Sequence, residues 1–300
     1  MSWFSPVIAG STLPLAPASG SGADQLRGQW LAGLRKLRGS GFASVDIVDS
    51  WVQFGRFGPG DLAAFKEVVE HSGLAIAGLS SIRRSVIDPS DASQNMAYTH
   101  RAVEVAAALG APVLSIGFHR PLTADQRAWP FWSAPSPKDS PGAFGKAVAR
   151  LRELAGHAWE LSVQLSLELY EYTLVGSGAQ AAQLVEAVGA ANLGINADLA
   201  NLYRVPERLA ESWLETLRFC LPYMNYWHVK NYQRAEAFPA GPFLAWPTRL
   251  ADGDIDYRLA LQAAAEAGYA GPICVEHYGG DGLTAQAAGL AYLTSLLEDL

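Results

Sequence analysis

The sequence predicts a single closed (β/α)8 barrel, and three observations predict it. The chain has 300 residues, half of them hydrophobic and 17% charged, which is enough apolar material for one large α/β core. Five helical patterns close on a glycine, and an apolar run follows within a few residues: Gly41 before FASVDIVD, Gly73 before LAIAGLSS, Gly110 before APVLSIGF, Gly189 before AANLGINAD and Gly268 before YAGPICVEH. Glycine just past a helix takes up the left-handed conformation that ends it. These runs are nearly continuous in apolar residues rather than alternating, as expected of parallel strands buried on both faces.

Taken in order, the elements fit one repeated unit. PVIAGST near the start reads as the first strand. Residues 24–38 carry apolar side chains at three- and four-residue steps and read as a helix. The runs after Gly41, Gly73 and Gly110 are strands two to four, with a helix at 92–109 before the last of them. SVQLSLEL at 162–169 is strand five, and Ser177 and Gln180 have capping-box spacing ahead of AAQLVEAV. The run after Gly189 is strand six, and Pro206 suits the first turn of a helix over PERLAESWLETLRFCL. MNYWHVKN at 224–231 and the run after Gly268 are strands seven and eight, and a last helix covers roughly 284–298. A doubly wound open sheet is the alternative, but AGSTLPLAPASGSG lacks the GxGxxG spacing of its phosphate turn. One domain over residues 1–300 is therefore expected. Two insertions, 120–141 and 232–253, are rich in proline and aromatics and follow strands four and seven. Both belong to the C-terminal face of a barrel, where loops build the site. They are expected to be substrate walls or lids, or else an oligomer interface.

Composition excludes several function classes. Net charge is −7 with no block of Lys or Arg, which argues against a nucleic-acid binder. Cys220 and Cys274 have no CxxC spacing and read as buried thiols of a reducing compartment. The N-terminus lacks the basic segment of a signal peptide, and no apolar run reaches membrane-spanning length. A cytoplasmic protein without a membrane partner is expected.

Chemistry concentrates at the ends of the last four strands. Glu168 ends LSLE, Asp198 ends GINAD, His228 lies in YWHVKN and Glu276 in ICVEH. The first three are spaced by 30 residues, one β–α unit, and the fourth by 48, stretched by the second insertion. Taken singly, each has a plain structural role available: Glu168 or Glu276 in an ion pair (Glu276 with Lys230), Asp198 as a helix cap, His228 as a core histidine. Four ligand-type residues at corresponding positions of successive strands point instead to a shared centre. Three carboxylates cannot crowd together as anions without a counter-charge. One divalent cation supplies it. Three oxygen donors with one imidazole suit Mn²⁺ best, with Mg²⁺, Co²⁺ or Zn²⁺ also compatible.

At these residues the chain resembles the xylose isomerase-like TIM-barrel superfamily of sugar phosphate isomerases and epimerases. LSLELY, NLGINADLANLY, YWHVKN and LADGDIDYRLALQAAAEAGYAGPICVEH carry the resemblance, which runs from the first strand to the last helix. It implies that Glu168, Asp198, His228 and Glu276 bind one divalent metal, with Glu168 and Glu276 as the proton-transfer pair. Two departures bear on the substrate. The histidine that ketose 3-epimerases carry three residues after the metal aspartate is Asn201 here, and a further glutamate is Leu174. Endonuclease IV shares the superfamily, but Asn201 replaces one of its extra histidines and the acidic charge disfavours DNA.

The implied reaction is removal of a proton beside a carbonyl, through a metal-stabilised enediolate, followed by return of a proton to the other face or the neighbouring carbon. Loss of a β-substituent instead gives elimination, as in the C-glycoside deglycosidase subunits of the superfamily, which act on 3-keto sugars and often carry a small partner subunit. A non-catalytic ligand-binding barrel is the reading from another class. A carbohydrate is the expected substrate, with a homo-oligomer possible. His119, Asn201, Lys230, Trp132 and Trp246 are the substrate-binding candidates, with Trp51, Trp129 and Phe131 as further loop aromatics. Lys230 could equally pair with Glu276 or Glu168. Glu171 and His277 neighbour the ligands but fall on alternate strand positions, which face the other way. No phosphate-binding glycine motif or Arg cluster stands out, so the expected substrate is not phosphorylated.

Overall fold

Each of the eight predicted strands forms, and all eight close into one parallel barrel. The structure is a computed structural model and describes residues 4–17, 23–128, 130–236 and 243–300. Chain order runs β1 (Ile8–Ser11), α1 (Ala23–Gly39), β2 (Ser44–Val48), α2 (Pro59–Ser72), β3 (Ala75–Ser80), α3 (Ala92–Leu109), β4 (Val113–Ile116), α4 (Ala124–Ala128), α5 (Phe144–Glu160) and β5 (Gln164–Glu168). It continues with α6 (Gly178–Val188), β6 (Leu193–Asn196), α7 (Leu199–Tyr203), α8 (Trp213–Cys220), β7 (Met224–Val229), β8 (Asn231–Glu236), β9 (Phe243–Thr248), α9 (Tyr257–Glu266), β10 (Ile273–Val275) and α10 (Gly282–Glu298). The barrel order is β1-β2-β3-β4-β5-β6-β7-β10, closing on β1 through Ile8 opposite Ile273.

Two apolar layers result. The larger lies between the strands and the surrounding helices, from Leu34 and Phe65 through Leu151 and Leu184 to Leu261 and Leu296. The smaller fills the barrel interior with Ala9, Ala77, Val113, Tyr226 and Cys274. Small residues make room there for one large one. A Cβ on Gly78 would stand 2.7 Å from the Tyr226 hydroxyl, so glycine lets the tyrosine cross the barrel and donate to Asp46 Oδ1 at 2.8 Å. Cys220 and Cys274 are buried free thiols. No helix among the described residues is long and apolar enough to cross a membrane.

Two segments differ from the sequence reading. The helix expected from Pro206 starts only at Trp213. Its cap is Ser212, whose hydroxyl accepts from Glu215 N while Glu215 accepts from Ser212 N at 2.8 Å. Upstream, the Glu211 carboxylate accepts from Gly178 N and Ala179 N at 2.8 and 3.1 Å. It caps the start of α6, which holds its own segment out of the helix. The second insertion contains an antiparallel hairpin, β8 with β9, paired from Asn231 opposite Thr248 to Glu236 opposite Phe243. Trp132 in the first insertion donates its indole N–H to Ala245 O in β9 at 2.9 Å. The two insertions are thus stitched together over the C-terminal mouth.

The five helix-ending glycines all have positive φ, from 66° at Gly189 to 98° at Gly41. At Gly110 (φ 70°) nothing lies within 4 Å of an added Cβ, so substitution there tests the backbone alone. Gly110→Ala is expected to lower unfolding free energy by about 1–2 kcal/mol in a denaturant titration; an unchanged midpoint would mean that this residue does not set the end of α3.

Candidate metal centre

The end of each of the last four barrel strands delivers one polar side chain to the mouth. Glu168 is the final residue of β5, and Glu276 follows β10 directly. His228 lies in β7, in register with Cys274. Asp198 stands two residues past β6 as the cap of α7, accepting from Asn201 N at 3.3 Å. All four are buried. Glu168, Asp198 and His228 each present one donor atom within 4.8 Å of the others, a span that a single cation can bridge. Glu276 Oε1 completes the group 3.3 Å from His228 Nδ1, with Glu168 Oε1 3.9 Å from the same nitrogen.

The imidazole is oriented from below. Ser80 gives its one hydroxyl proton to Asp46 Oδ1 at 3.0 Å and lies 3.3 Å from His228 Nε2. Its oxygen can therefore only accept, so Nε2 carries the proton and Nδ1 faces the carboxylates. Nδ1 is buried without a hydrogen-bond partner. A lone pair aimed at two carboxylates is repulsive unless something positive lies between them. Burial disfavours the imidazolium, yet Glu276 and Glu168 outweigh it and raise His228 above its ordinary value. A proton or a metal ion on Nδ1 meets the same demand.

Lys230 supplies part of the counter-charge. Its ammonium bonds Asp198 Oδ2 and, at 2.7 Å, Glu276 Oε2. Burial opposes ionisation of Glu276, but Lys230 and then His228 outweigh it and hold the carboxyl below its ordinary value. Glu168 lacks such a partner. Burial, opposed chiefly by His228 and reinforced by Asp198 and Glu276, pushes it up to about 8. Three carboxylates against one ammonium leave two negative charges, the charge one dication cancels. The donor set thus fits a divalent ion. Asp46, His228 and Cys274 also come within 4.8 Å of one another. Asp46 already accepts from Ser80 and Tyr226, and burial pushes the Cys274 thiol far up, so this lower group is the hydrogen-bonded floor of the centre.

The remaining sequence candidates divide. Asn201 gives its amide protons to Glu168 Oε1, Asp198 Oδ2 and Leu169 O at 2.9–3.0 Å, so it steadies two carboxylates. Lys230 makes the ion pair with Glu276 that the sequence offered as its structural role. His119 is buried with neither ring nitrogen partnered, and its Nε2 stands 3.8 Å from Glu168 Oε2. Burial first, then Arg83, Arg204 and Lys230, hold it well below its ordinary value, hence neutral. Trp132 is buried beside the mouth, whereas Trp246 is 38% exposed on the outer face of the hairpin. Trp51 lies in the turn after β2, as expected, but it is buried there and packed edge-on against Phe65. Trp129 lies outside the described residues.

Sequence reasoning missed the roof. Arg204, wholly buried, makes a bidentate ion pair with Glu171 at 2.9 and 3.0 Å. Its guanidinium carbon lies 4.6 Å from the ring centroid of Phe131, 5.3 Å from that of Tyr170 and 5.6 Å from that of Tyr278. Strand alternation does not govern Glu171, because β5 ends at Glu168 and the loop beyond turns freely. The only available signal was an acid and a base 33 residues apart, too common to single out. Beneath this roof the cavity touching Glu168, Glu276 and His119 holds about 10 Å³, room for roughly one water or ion.

The matching family profile describes a xylose isomerase-like TIM barrel and spans residues 34–296. The chain belongs to the xylose isomerase-like TIM-barrel family. A family member from Mycobacterium smegmatis, solved in complex with magnesium, is 34% identical, with 98% of this chain and 97% of that one covered and a TM-score of 0.91. A xylose isomerase domain protein from Planctomyces limnophilus shares the fold at 18% identity, TM-score 0.72, covering 99% and 98% of the two chains. A 3-keto-D-glucoside 4-epimerase from E. coli shares it at 15% identity, TM-score 0.70, covering 97% and 100%. No curated protein matches the sequence.

The roof gives a stability test. Glu171→Ala leaves a buried guanidinium without its carboxylate and is expected to cost about 3–5 kcal/mol in chemical denaturation. A loss under 1 kcal/mol would show that Arg204 finds water or another partner.

Proposed function

We propose that Glu168, Asp198, His228 and Glu276 hold one divalent cation and that the protein isomerises or epimerises a small sugar by moving a proton on the carbon beside a carbonyl. The observation that carries this reading is the His228 lone-pair position, fixed through Ser80 and facing the carboxylates. A cation held there supplies a Lewis acid for the carbonyl oxygen and for the charge left when the neighbouring proton departs. Mn²⁺ fits the donors best, and the magnesium of the Mycobacterium smegmatis relative supports a hard dication of this kind.

The chain's own residues do the rest. Glu168 and Glu276 both line the cavity and come from strands three steps apart in the barrel order. They approach a bound substrate from different sides, as needed for one to take a proton and the other to return one to the opposite face. Neutral His119 offers an unused donor and acceptor to a substrate hydroxyl. Lys230 holds Glu276 ionised and ready to accept a proton. Asp46 and Ser80 fix the ring of His228. The aromatic roof over Arg204 excludes water, which strengthens every charge interaction below it.

One observation favours a second reading, elimination of an aglycone from a 3-keto sugar. A side cavity of about 430 Å³, lined by Phe144, Leu174, Leu202 and Leu209, includes Glu171. A smaller cavity shares Glu171 with it, and shares Arg83 and Tyr170 with the central cavity. A bulky apolar group would fit there.

Elemental analysis followed by deuterium wash-in from D₂O over a panel of ketoses and 3-keto glycosides tests both readings. The expected result is about one bound dication per chain and wash-in beside the carbonyl, reduced about 10²-fold or more in Glu168→Gln. Phenol release from an oxidised aryl glycoside would favour elimination. A metal-free protein with no exchange would leave a ligand-binding barrel.

Metal binding is also expected to release protons. Glu168, at about 8 without metal, is mostly protonated at pH 7 and must ionise to ligate. Affinity for Mn²⁺ should therefore rise with pH and level off above about 8. Calorimetry in buffers of different ionisation enthalpy reads the protons released, and pH-independent affinity between 6 and 8 would contradict the assignment of Glu168.

A further inference from the structure

Three cations stand around the mouth, and two are matched by carboxylates. Lys230 pairs with Asp198 and Glu276, and Arg204 with Glu171. The third is Arg83. It lines the central cavity together with His119, Tyr170, Tyr278, Glu168 and Glu276, and its guanidinium carbon lies 5.2 Å from the ring centroid of Phe131. Among the described residues it makes no ion pair, and its one hydrogen bond runs from Nη1 to the carbonyl of Arg120 at 3.0 Å.

Its backbone is unusual as well. Arg83 has φ +56°, the left-handed region that a long side chain seldom occupies. The turn is held from both sides: Ser81 N donates to Ser115 O at 2.9 Å and Ile82 N to Asp49 Oδ1 at 2.9 Å. The neighbouring Arg84, by contrast, turns outward to Asp49 at 3.6 Å and to the ring of Tyr98. Of these two neighbours, Arg84 is thus paired with a carboxylate, whereas Arg83 is unpaired and lines the cavity.

Beside Arg83 stands His119, buried and with both ring nitrogens unpartnered. An unpaired planar fork of donors next to an unused neutral donor suits a planar anion with two oxygens. A phosphate dianion ordinarily recruits more than one cation, or a helix N-terminus with a glycine loop; of the arginines nearby, Arg84 is taken by Asp49 and Arg120 by Asp139, and among the described residues Arg83 alone of the Lys and Arg side chains lines the central cavity.

We infer that Arg83 anchors a carboxylate of the substrate, so that the sugar handled at this centre is a keto sugar acid rather than a neutral or phosphorylated ketose. Arg83 would hold the acid end while the carbonyl end faces Glu168 and Glu276. This rests on the reading of the mouth as the substrate site, not on which proton is moved there.

The test compares binding of D-fructuronate, D-fructose and D-fructose 6-phosphate to the Mn²⁺-loaded full-length protein by calorimetry, in the parent, Arg83→Met and Arg83→Lys. The expected result is an affinity for fructuronate about tenfold or more above that for fructose. That ratio should collapse in Arg83→Met and persist in part in Arg83→Lys. If Arg83 only braces the turn through Arg120, both substitutions lower the two affinities alike and leave the ratio unmoved, which overturns the inference. Equal binding of fructose, a preference for the phosphate alone, or no saturable binding of fructuronate overturns it too. Deuterium wash-in separates the two levels. Exchange on neutral ketoses with no acid preference leaves the proposed function standing without this inference. An Arg83-dependent acid preference without exchange does the reverse.

Discussion

Negative charge gathered in a dry space is the constraint on which the centre depends. Glu168, Asp198 and Glu276 are each buried, and no bulk water screens them. In such a medium like charges a few ångströms apart repel far more strongly than at a surface. Lys230 answers two of the carboxylates, and the Asn201 amide gives its protons to Glu168 and Asp198. What remains falls on His228 Nδ1, between Glu168 and Glu276. Glu168 and His228 both rise above their ordinary values, but for opposite reasons: burial raises Glu168 against the pull of His228, whereas Glu276 and Glu168 raise His228 against burial.

The layers below and above exist to keep that gap in place. Below, Gly78 clears the path for Tyr226 to reach Asp46, and Asp46 takes the Ser80 proton, which turns Ser80 into an acceptor for His228. A change as small as a methyl at residue 78 would press on the ring whose hydroxyl starts this chain. Above, Arg204 is held by Glu171 and ringed by aromatic faces, so the roof is both charged and dry. The charge matters, because an arginine flanked by π faces contributes positive potential over the carboxylates while excluding solvent. A cavity of about 10 Å³ admits no sugar, so under the proposed function residues that line it, Tyr170 and Tyr278 among them, must shift before a substrate can reach Glu168.

How much of this could be read from the chain follows from the range of each interaction. The eight strands and the glycines that end the helices were legible because they are local patterns of hydrophobicity and backbone freedom. The convergence of Glu168, Asp198, His228 and Glu276 was legible because the β–α unit repeats, so corresponding strand ends in sequence meet in space. The late start of α8 was not, because Glu211 is drawn away to cap α6 in another part of the chain. Neither was the β8–β9 hairpin, whose residues lay inside an insertion read only as proline- and aromatic-rich. Glu171, Arg204 and Arg83 escaped for a related reason. Each acts beyond a strand end, where alternation no longer says which way a side chain points, and their partners lie tens of residues away. Trp51 went the other way: a loop position by sequence, it is drawn into the core by Phe65.

This division also bears on how the family diversifies. Under the proposed function, the centre would offer any carbonyl compound the same Lewis-acid position and the same two carboxylates, and would not by itself choose among epimerisation, isomerisation and elimination. On that reading the choice would come from groups that fix where the substrate's other atoms lie: Arg83 and His119 on one side, Phe131 and Trp132 overhead, and the side cavity beyond Glu171. All stand in loops or at strand ends rather than in the barrel wall. A substrate gripped at an acid end by Arg83 would present a different carbon to Glu168 than one gripped by an aryl group in the side cavity. On the proposed reading, chemistry set by four strands and specificity set by the segments joining them would vary independently.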